Sequence, residues 1–157
     1  MTWAVIALAL ALLGWIAVND LRHYQIPNWS VIALAGLFVL HALAAGAPQA
    51  VLWHGLLAVA IFAALLVPFH FNWMGGGDVK ILGAAFLWTG LGCAFSFAVL
   101  LCVAAMVHVG LARLGVVGAR GEGRSRRIPF GPAAAVALGL TLVLCVPNLP
   151  AWAGAIP

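Results

Sequence analysis

Only three of the 157 side chains are acidic, and two of them stand where an apolar run meets unusual local sequence. Asp20 closes the first apolar run, in Asn19-Asp20-Leu21-Arg22-His23-Tyr24-Gln25-Ile26-Pro27-Asn28. Asp78 follows three glycines, in Met74-Gly75-Gly76-Gly77-Asp78-Val79-Lys80. A carboxylate near lipid costs about 3 kcal/mol and adds nothing to packing. Two such groups in an acid-poor chain therefore point to paired acid–base chemistry. Brought together, they share one proton and polarise a water, one acting as general base on that water and the other as general acid on a carbonyl oxygen. The glycines before Asp78 would let backbone come close to a substrate strand, which bulkier residues prevent. Glu122, the third acid, lies in a basic glycine-rich stretch and reads as solvated surface.

The elements that must position the two acids also bear on their roles. Asp20 falls at the C-terminal end of the first predicted helix, where the helix dipole disfavours an anion. Asp78 is placed to cap the N-terminus of the fourth, where the dipole favours one. The expectation is an ionised Asp78 and a shared proton on Asp20, with Arg22 working against that assignment.

Composition settles the class of molecule. Hydrophobic residues make up 66% of the chain, charged residues 6%, and the mean hydropathy is +1.19. Those values exclude a soluble globular domain and predict an all-α, polytopic membrane bundle formed by residues 1–157 as a single domain. No basic surface with interleaved aromatics remains once the apolar runs are removed, so nucleic acid is not an expected partner. The run from Thr2 to Val18 has neither a basic n-region nor a small-residue cleavage site, and reads as a first transmembrane helix in place of a signal peptide.

Apolar runs of spanning length predict helices at about 2–20, 29–45, 50–70, 78–90, 92–115 and 128–147. The run after Asp78 is short for a crossing, and either stays short or continues through Thr89-Gly90-Leu91-Gly92 into a bend. Six spans place all seven basic side chains (Arg22, Lys80, Arg113, Arg120, Arg124, Arg126 and Arg127) on one side. Five would split them. The positive-inside rule makes that side cytoplasmic, so both termini are expected in the periplasm and both acids at the cytoplasmic face.

Three pieces of the chain, taken in order, resemble a known family. They are Asp20 through Ile26-Pro27-Asn28, the Gly75-Gly76-Gly77-Asp78-Val79-Lys80 run that fits GxGD followed by Val-Lys, and Ile128-Pro129-Phe130-Gly131-Pro132-Ala133 before the last span. Together they are similar to the prepilin leader peptidases, bacterial members of the membrane-embedded GxGD aspartic proteases. The closest likeness is to the short forms that serve tight-adherence (Flp-type) pilus systems. The resemblance implies an aspartic endopeptidase of the bacterial inner membrane. It would remove the short basic leader of type IV pilin or pseudopilin precursors on the cytoplasmic side. Asp20 and Asp78 match the two catalytic aspartates; Gly75, Gly77, Lys80, Pro27, Asn28, Gly131 and Pro132 are the motif residues expected near the substrate. Bifunctional members carry an N-terminal extension whose paired cysteines bind zinc and support N-methylation. This chain begins directly in its first apolar run, so neither methylation nor a metal or other cofactor is expected.

The remaining residues have plainer readings. Pro27 and Asn28 can simply start the second helix. Lys80 can answer the positive-inside rule or tune Asp78. The Arg120–Arg127 stretch is expected to meet anionic lipid headgroups. His41, His54, His70 and His108 lack metal-ligand spacing and read as hydrogen-bonded or interfacial side chains. Trp29, Trp53, Trp73 and Trp88, near span ends, fit an aromatic belt. Cys93, Cys102 and Cys145, isolated in apolar runs, read as buried thiols. The rival function from another class is a small transporter or proton-conducting subunit, since carboxylate pairs also serve proton relays. Against it, the two halves show no internal repeat, and both acids fall at one boundary.

Overall fold

A computed structural model of the chain describes residues 2–116 and 129–146, which form five helices and their connections. They are α1 (Thr2–His23), α2 (Asn28–Ala44), α3 (Pro48–His70), α4 (Gly76–Arg113) and α5 (Gly131–Leu144). Each is an apolar run that stops where the chain carries a residue unsuited to continue it. After α1, Tyr24 turns left-handed at φ 55 while its N–H still bonds to the Asp20 carbonyl at 2.8 Å. The Asn19 side chain then donates to the Gln25 carbonyl at 2.8 Å and closes the turn. Pro27, extended at φ −65 and ψ 143, opens α2, and its carbonyl accepts the Ser30 hydroxyl at 2.7 Å. The reading of Pro27 and Asn28 as a helix start is what these contacts describe.

The runs expected as separate helices at 78–90 and 92–115 are two limbs of α4, which meet at Gly90 (φ 52, ψ −162). The limbs fold back on one another. The rings of Phe86 and Phe97 meet edge to face with centroids 5.6 Å apart, whereas an unbroken helix would separate the two positions by about 16 Å along its axis. There is a physical reason for the reversal. A straight helix of 38 residues would be about 57 Å long, nearly twice the roughly 30 Å hydrocarbon core of a bilayer.

The first limb packs on α3 through a column of glycines. A Cβ at Gly76 would lie 3.2 Å from the Phe69 ring, one at Gly83 would lie 3.2 Å from the Phe62 ring, and one at Gly90 would collide with the His54 imidazole. Glycines one heptad apart thus let the two helices approach closely along the whole limb. Near Gly90 the core is aromatic. Trp88 donates its indole N–H to the Leu34 carbonyl at 3.0 Å and meets Phe38 edge to face at 5.7 Å. It is 2% exposed, so it is a core residue and not part of an interfacial belt. Trp29, Trp53 and Trp73 are exposed.

The three cysteines do not share one state. The fold-back brings the start of the second limb beside the end of α5, and Cys93 and Cys145 form a disulfide with Cα atoms 6.0 Å apart. Cys102 is free and exposed. The expectation of three buried thiols fails at every position, because no spacing along the chain announces a pairing created by a reversal at Gly90.

Among the described residues, three helical segments are long and apolar enough to cross a membrane: Trp3–His23, Pro48–His70 and Gly76–Arg113. Two shorter apolar helices, Asn28–Ala44 and Gly131–Leu144, accompany them. The chain is a helical, multi-pass membrane protein. Arg22 ends α1, Lys80 lies in the first turns of α4, and Arg113 ends its returning limb. Arg120, Glu122, Arg124, Arg126, Arg127 and Ile128 lie outside the described residues.

Candidate active site

Asp20 sits in the last turn of α1 and is 6% exposed. Its Oδ2 accepts the N–H of Gly131 at 2.8 Å. Gly131 is the first residue of α5, where backbone N–H groups have no partner within the helix and the dipole favours negative charge. Pro132 follows it in the first turn, where a missing N–H is harmless. A Cβ on Gly131 would lie 2.6 Å from Asp20 Oδ2 and 2.9 Å from its Cβ. Glycine is required there for want of space.

Asp78 is held by a different helix end. Gly75 is the N-cap of α4, so Asp78 is its third residue and not the cap itself. Its backbone N–H bonds to the Gly75 carbonyl at 3.1 Å, and its carboxylate turns back towards the Gly75 N–H. A Cβ on Gly75 would stand 3.2 Å from Asp78 Oδ2. The expectation that the glycines leave room for a substrate strand meets a different arrangement. Gly75 faces the Asp78 carboxylate, Gly76 faces Phe69, and Gly77 faces Ile26, where a Cβ would lie 3.5 Å from Cγ1.

The contact between Gly77 and Ile26 completes a chain of three motifs. Ile26, buried in the turn after Asp20, packs against the glycine run, while Asp20 itself holds the start of α5. The two carboxylates are close enough for the charge of Asp20 to act on Asp78. Pro27 and Asn28 stand at the start of α2, Asn28 exposed, and Lys80 is half-buried on the first limb. Two residues were not anticipated at this end. Ile26 belongs to one motif, and nothing in its type signals that it bridges two of them. His108, on the returning limb, lies near Asp20, and its Nε2 is buried without a hydrogen-bond partner among the described residues. The six-span reading returns this limb to the same end, but nothing in the sequence sets which of its residues faces Asp20.

Two carboxylates near one another, one held by the Gly131 N–H and the other turned towards Gly75, have the chemistry of a paired general acid and base. No curated protein matches the chain, and no solved structure does. Residues 7–110, a stretch that contains both acids and the whole glycine column, match the type IV leader peptidase family. Gly131 and Pro132 fall beyond that match, and it is the hydrogen bond to Asp20 that ties them to the matched part. Having these carboxylates and this match over most of its length, the chain belongs to the type IV leader peptidase family.

Proposed function

We propose that the chain is an aspartic endopeptidase of the bacterial inner membrane that removes the leader of type IV pilin-like precursors on the cytoplasmic side. The observation that carries this reading is the seating of Asp20 against Gly131 at the bundle end where Asp78 sits in the first turn of α4. A water between the carboxylates loses a proton to the ionised acid while the protonated one gives its proton to the scissile carbonyl oxygen. As the C–N bond of the resulting diol breaks, the first acid passes its proton to the departing amine and a diol hydroxyl returns one to the second. The Gly131 N–H on Asp20 Oδ2 at the N-terminus of α5 works against the α1 dipole and favours an anion there, and a proton held by Asp20 resides on Oδ1. Gly75 and Gly77 keep the turn before Asp78 tight against the acid and Ile26, and Lys80 follows two residues later on the same limb.

Counting each limb of α4 as a crossing gives six spans with both termini in the periplasm. Two independent features support that sidedness. Arg22, Lys80 and Arg113 gather at the carboxylate end, as the positive-inside rule requires of a cytoplasmic face. The Cys93–Cys145 disulfide lies at the other end, and disulfides persist in oxidising compartments such as the periplasm. A precursor's hydrophobic helix would lie against the bundle and present its leader at the interface, with the Arg120–Arg127 stretch meeting anionic headgroups. Nucleic acid has no place in this reading, and the hydrolysis requires no cofactor.

The test is cleavage of a pilin precursor by the purified protein in liposomes, compared with Asp20→Asn and Asp78→Asn, which keep shape and remove the titrating group. Wild type is expected to cut and each variant to be silent while still folded. Near-normal cleavage by either variant would sink the two-aspartate mechanism. Failure of wild type on several precursors, with proton flux that depends on both acids, would favour the transporter reading instead.

A further inference from the structure

The end of the bundle away from the carboxylates carries chemistry of its own. Cys93, just past the Gly90 reversal, is fully buried, whereas Cys145, just past α5, is half-buried. An open cavity of about 550 Å³ adjoins it, lined by Phe95, Val99, Leu144 and Cys145 among others. The helix between them is short. α5 runs 14 residues from Gly131 to Leu144, its first N–H on Asp20 and its end bonded to the returning limb of α4. Both ends of α5 are thus tied, one to an acid of the site and the other to a bond that redox chemistry can open.

We propose that Cys93–Cys145 is a thiol–disulfide exchange site that clamps α5 in place, reached through the cavity at Cys145 by a dithiol. The exchange follows ordinary thiol chemistry. A thiolate of the dithiol attacks Cys145 Sγ, the S–S bond breaks, and Cys93 Sγ leaves as a thiolate that takes up a proton. The second thiol of the reagent then attacks the mixed disulfide and frees Cys145 as a thiol. Two electrons and two protons pass to the protein, and the dithiol becomes a disulfide. Opening the bond removes the covalent tie between α5 and the returning limb. The Asp20 hydrogen bond then remains as the tie at the other end.

The experiment has three readouts on the full chain, of which only the last rests on the peptidase reading. Alkylation with a maleimide-polyethylene glycol after denaturation in dodecyl sulfate is expected to tag one cysteine, Cys102, without reductant and all three after dithiothreitol. Dithiothreitol applied to the folded protein in detergent is expected to open the bond and lower the thermal unfolding midpoint by roughly 5 to 15 °C. Precursor cleavage should fall with it. Cys93→Ser and Cys145→Ser should start at the lowered midpoint and ignore dithiothreitol, while Cys102→Ser should respond as wild type does. Three tagged thiols without reductant would overturn the clamp. A bond that opens only after unfolding would overturn the exchange site, and opening without any change in midpoint would overturn its hold on α5. If the midpoint shifts as expected but no precursor is cut in either redox state, the clamp stands and the peptidase reading falls.

Discussion

Gly131 N–H donates to Asp20 Oδ2 at 2.8 Å across a separation of 111 residues. This single bond fixes the rotamer of a carboxylate at the end of one helix and satisfies an otherwise free donor at the start of another. It also explains why a glycine–proline pair opens α5. The glycine admits the carboxylate, and the proline needs no donor of its own.

Gly131→Ala tests that relationship directly. The added methyl has no room beside Asp20, so either the carboxylate swings away or α5 backs off. Overpacking of this kind costs about 1–3 kcal/mol, which a folded bundle can absorb. A misplaced catalytic group loses far more in rate, on the order of 100-fold for a shift near 1 Å. The expected result is a protein with a modestly lowered unfolding midpoint and cleavage reduced about that much. Wild-type cleavage by Gly131→Ala would show that the contact does not matter to the site.

The reversal at Gly90 predicts a cross-link. Phe86→Cys with Phe97→Cys, in a Cys102→Ser background, should be joined by a short bifunctional thiol reagent, because the native rings touch. The product is read as a mass that carries one linker and no free thiol. An unbroken α4 would hold the two sulfurs about 16 Å apart and leave each singly labelled.

How far the sequence announces all this varies by residue. The ends of α1, α2 and α3 fall within a few positions of the expected ones, because Tyr24-Gln25-Ile26-Pro27 and Gly46-Ala47-Pro48 interrupt otherwise unbroken apolar runs. The reversal between 78–90 and 92–115 was legible too, since six spans put Lys80 and Arg113 on one side, but the packing it creates was not. That packing decides what lies next to what: it buries Trp88, pairs Cys93 with Cys145 and sets His108 towards Asp20. The two acids could be picked out by type and setting. Their anchors could not, since a backbone N–H from Gly131 or Gly75 leaves no mark on side-chain identity. The role of Asp78 as the third residue of its helix, one turn inside the cap, is a shift of the same origin: three glycines give no signal of where a helix begins.

A paired-acid mechanism predicts the shape of the pH profile. One carboxylate must be ionised to take the proton of water and the other protonated to give one, so kcat/KM for precursor cleavage should fall on both the acid and the alkaline side. The measurement is cleavage in detergent across pH, with the unfolding midpoint followed in the same buffers. A profile that stays flat on the alkaline side while the protein remains folded would exclude a protonated partner.

The glycine column between α3 and the first limb of α4 should tolerate substitution unevenly, and the neighbours decide the order. At Gly83 the facing group is the Phe62 ring, which is 39% exposed and free to lean towards lipid. At Gly90 it is the His54 imidazole, whose Nδ1–H donates to the Leu87 carbonyl at 3.0 Å and whose ring stacks on Phe38 at 5.3 Å. That side chain cannot yield without losing both contacts. Gly90 also carries φ 52 with ψ −162, a region essentially reserved for glycine that costs a residue with a Cβ about 1–3 kcal/mol even in open space. Gly83→Ala should therefore cost under about 1 kcal/mol and Gly90→Ala about 2–6 kcal/mol, the strain and the overpacking adding together. Pairing Gly90→Ala with His54→Ala separates the two contributions, because removal of the imidazole relieves the collision and leaves the backbone strain. The double variant should be more stable than the sum of the single losses, with a coupling above about 0.5 kcal/mol in unfolding measurements in detergent. Strict additivity would mean that the backbone alone, and not the packing of α3 against the turn, sets the requirement for glycine at position 90.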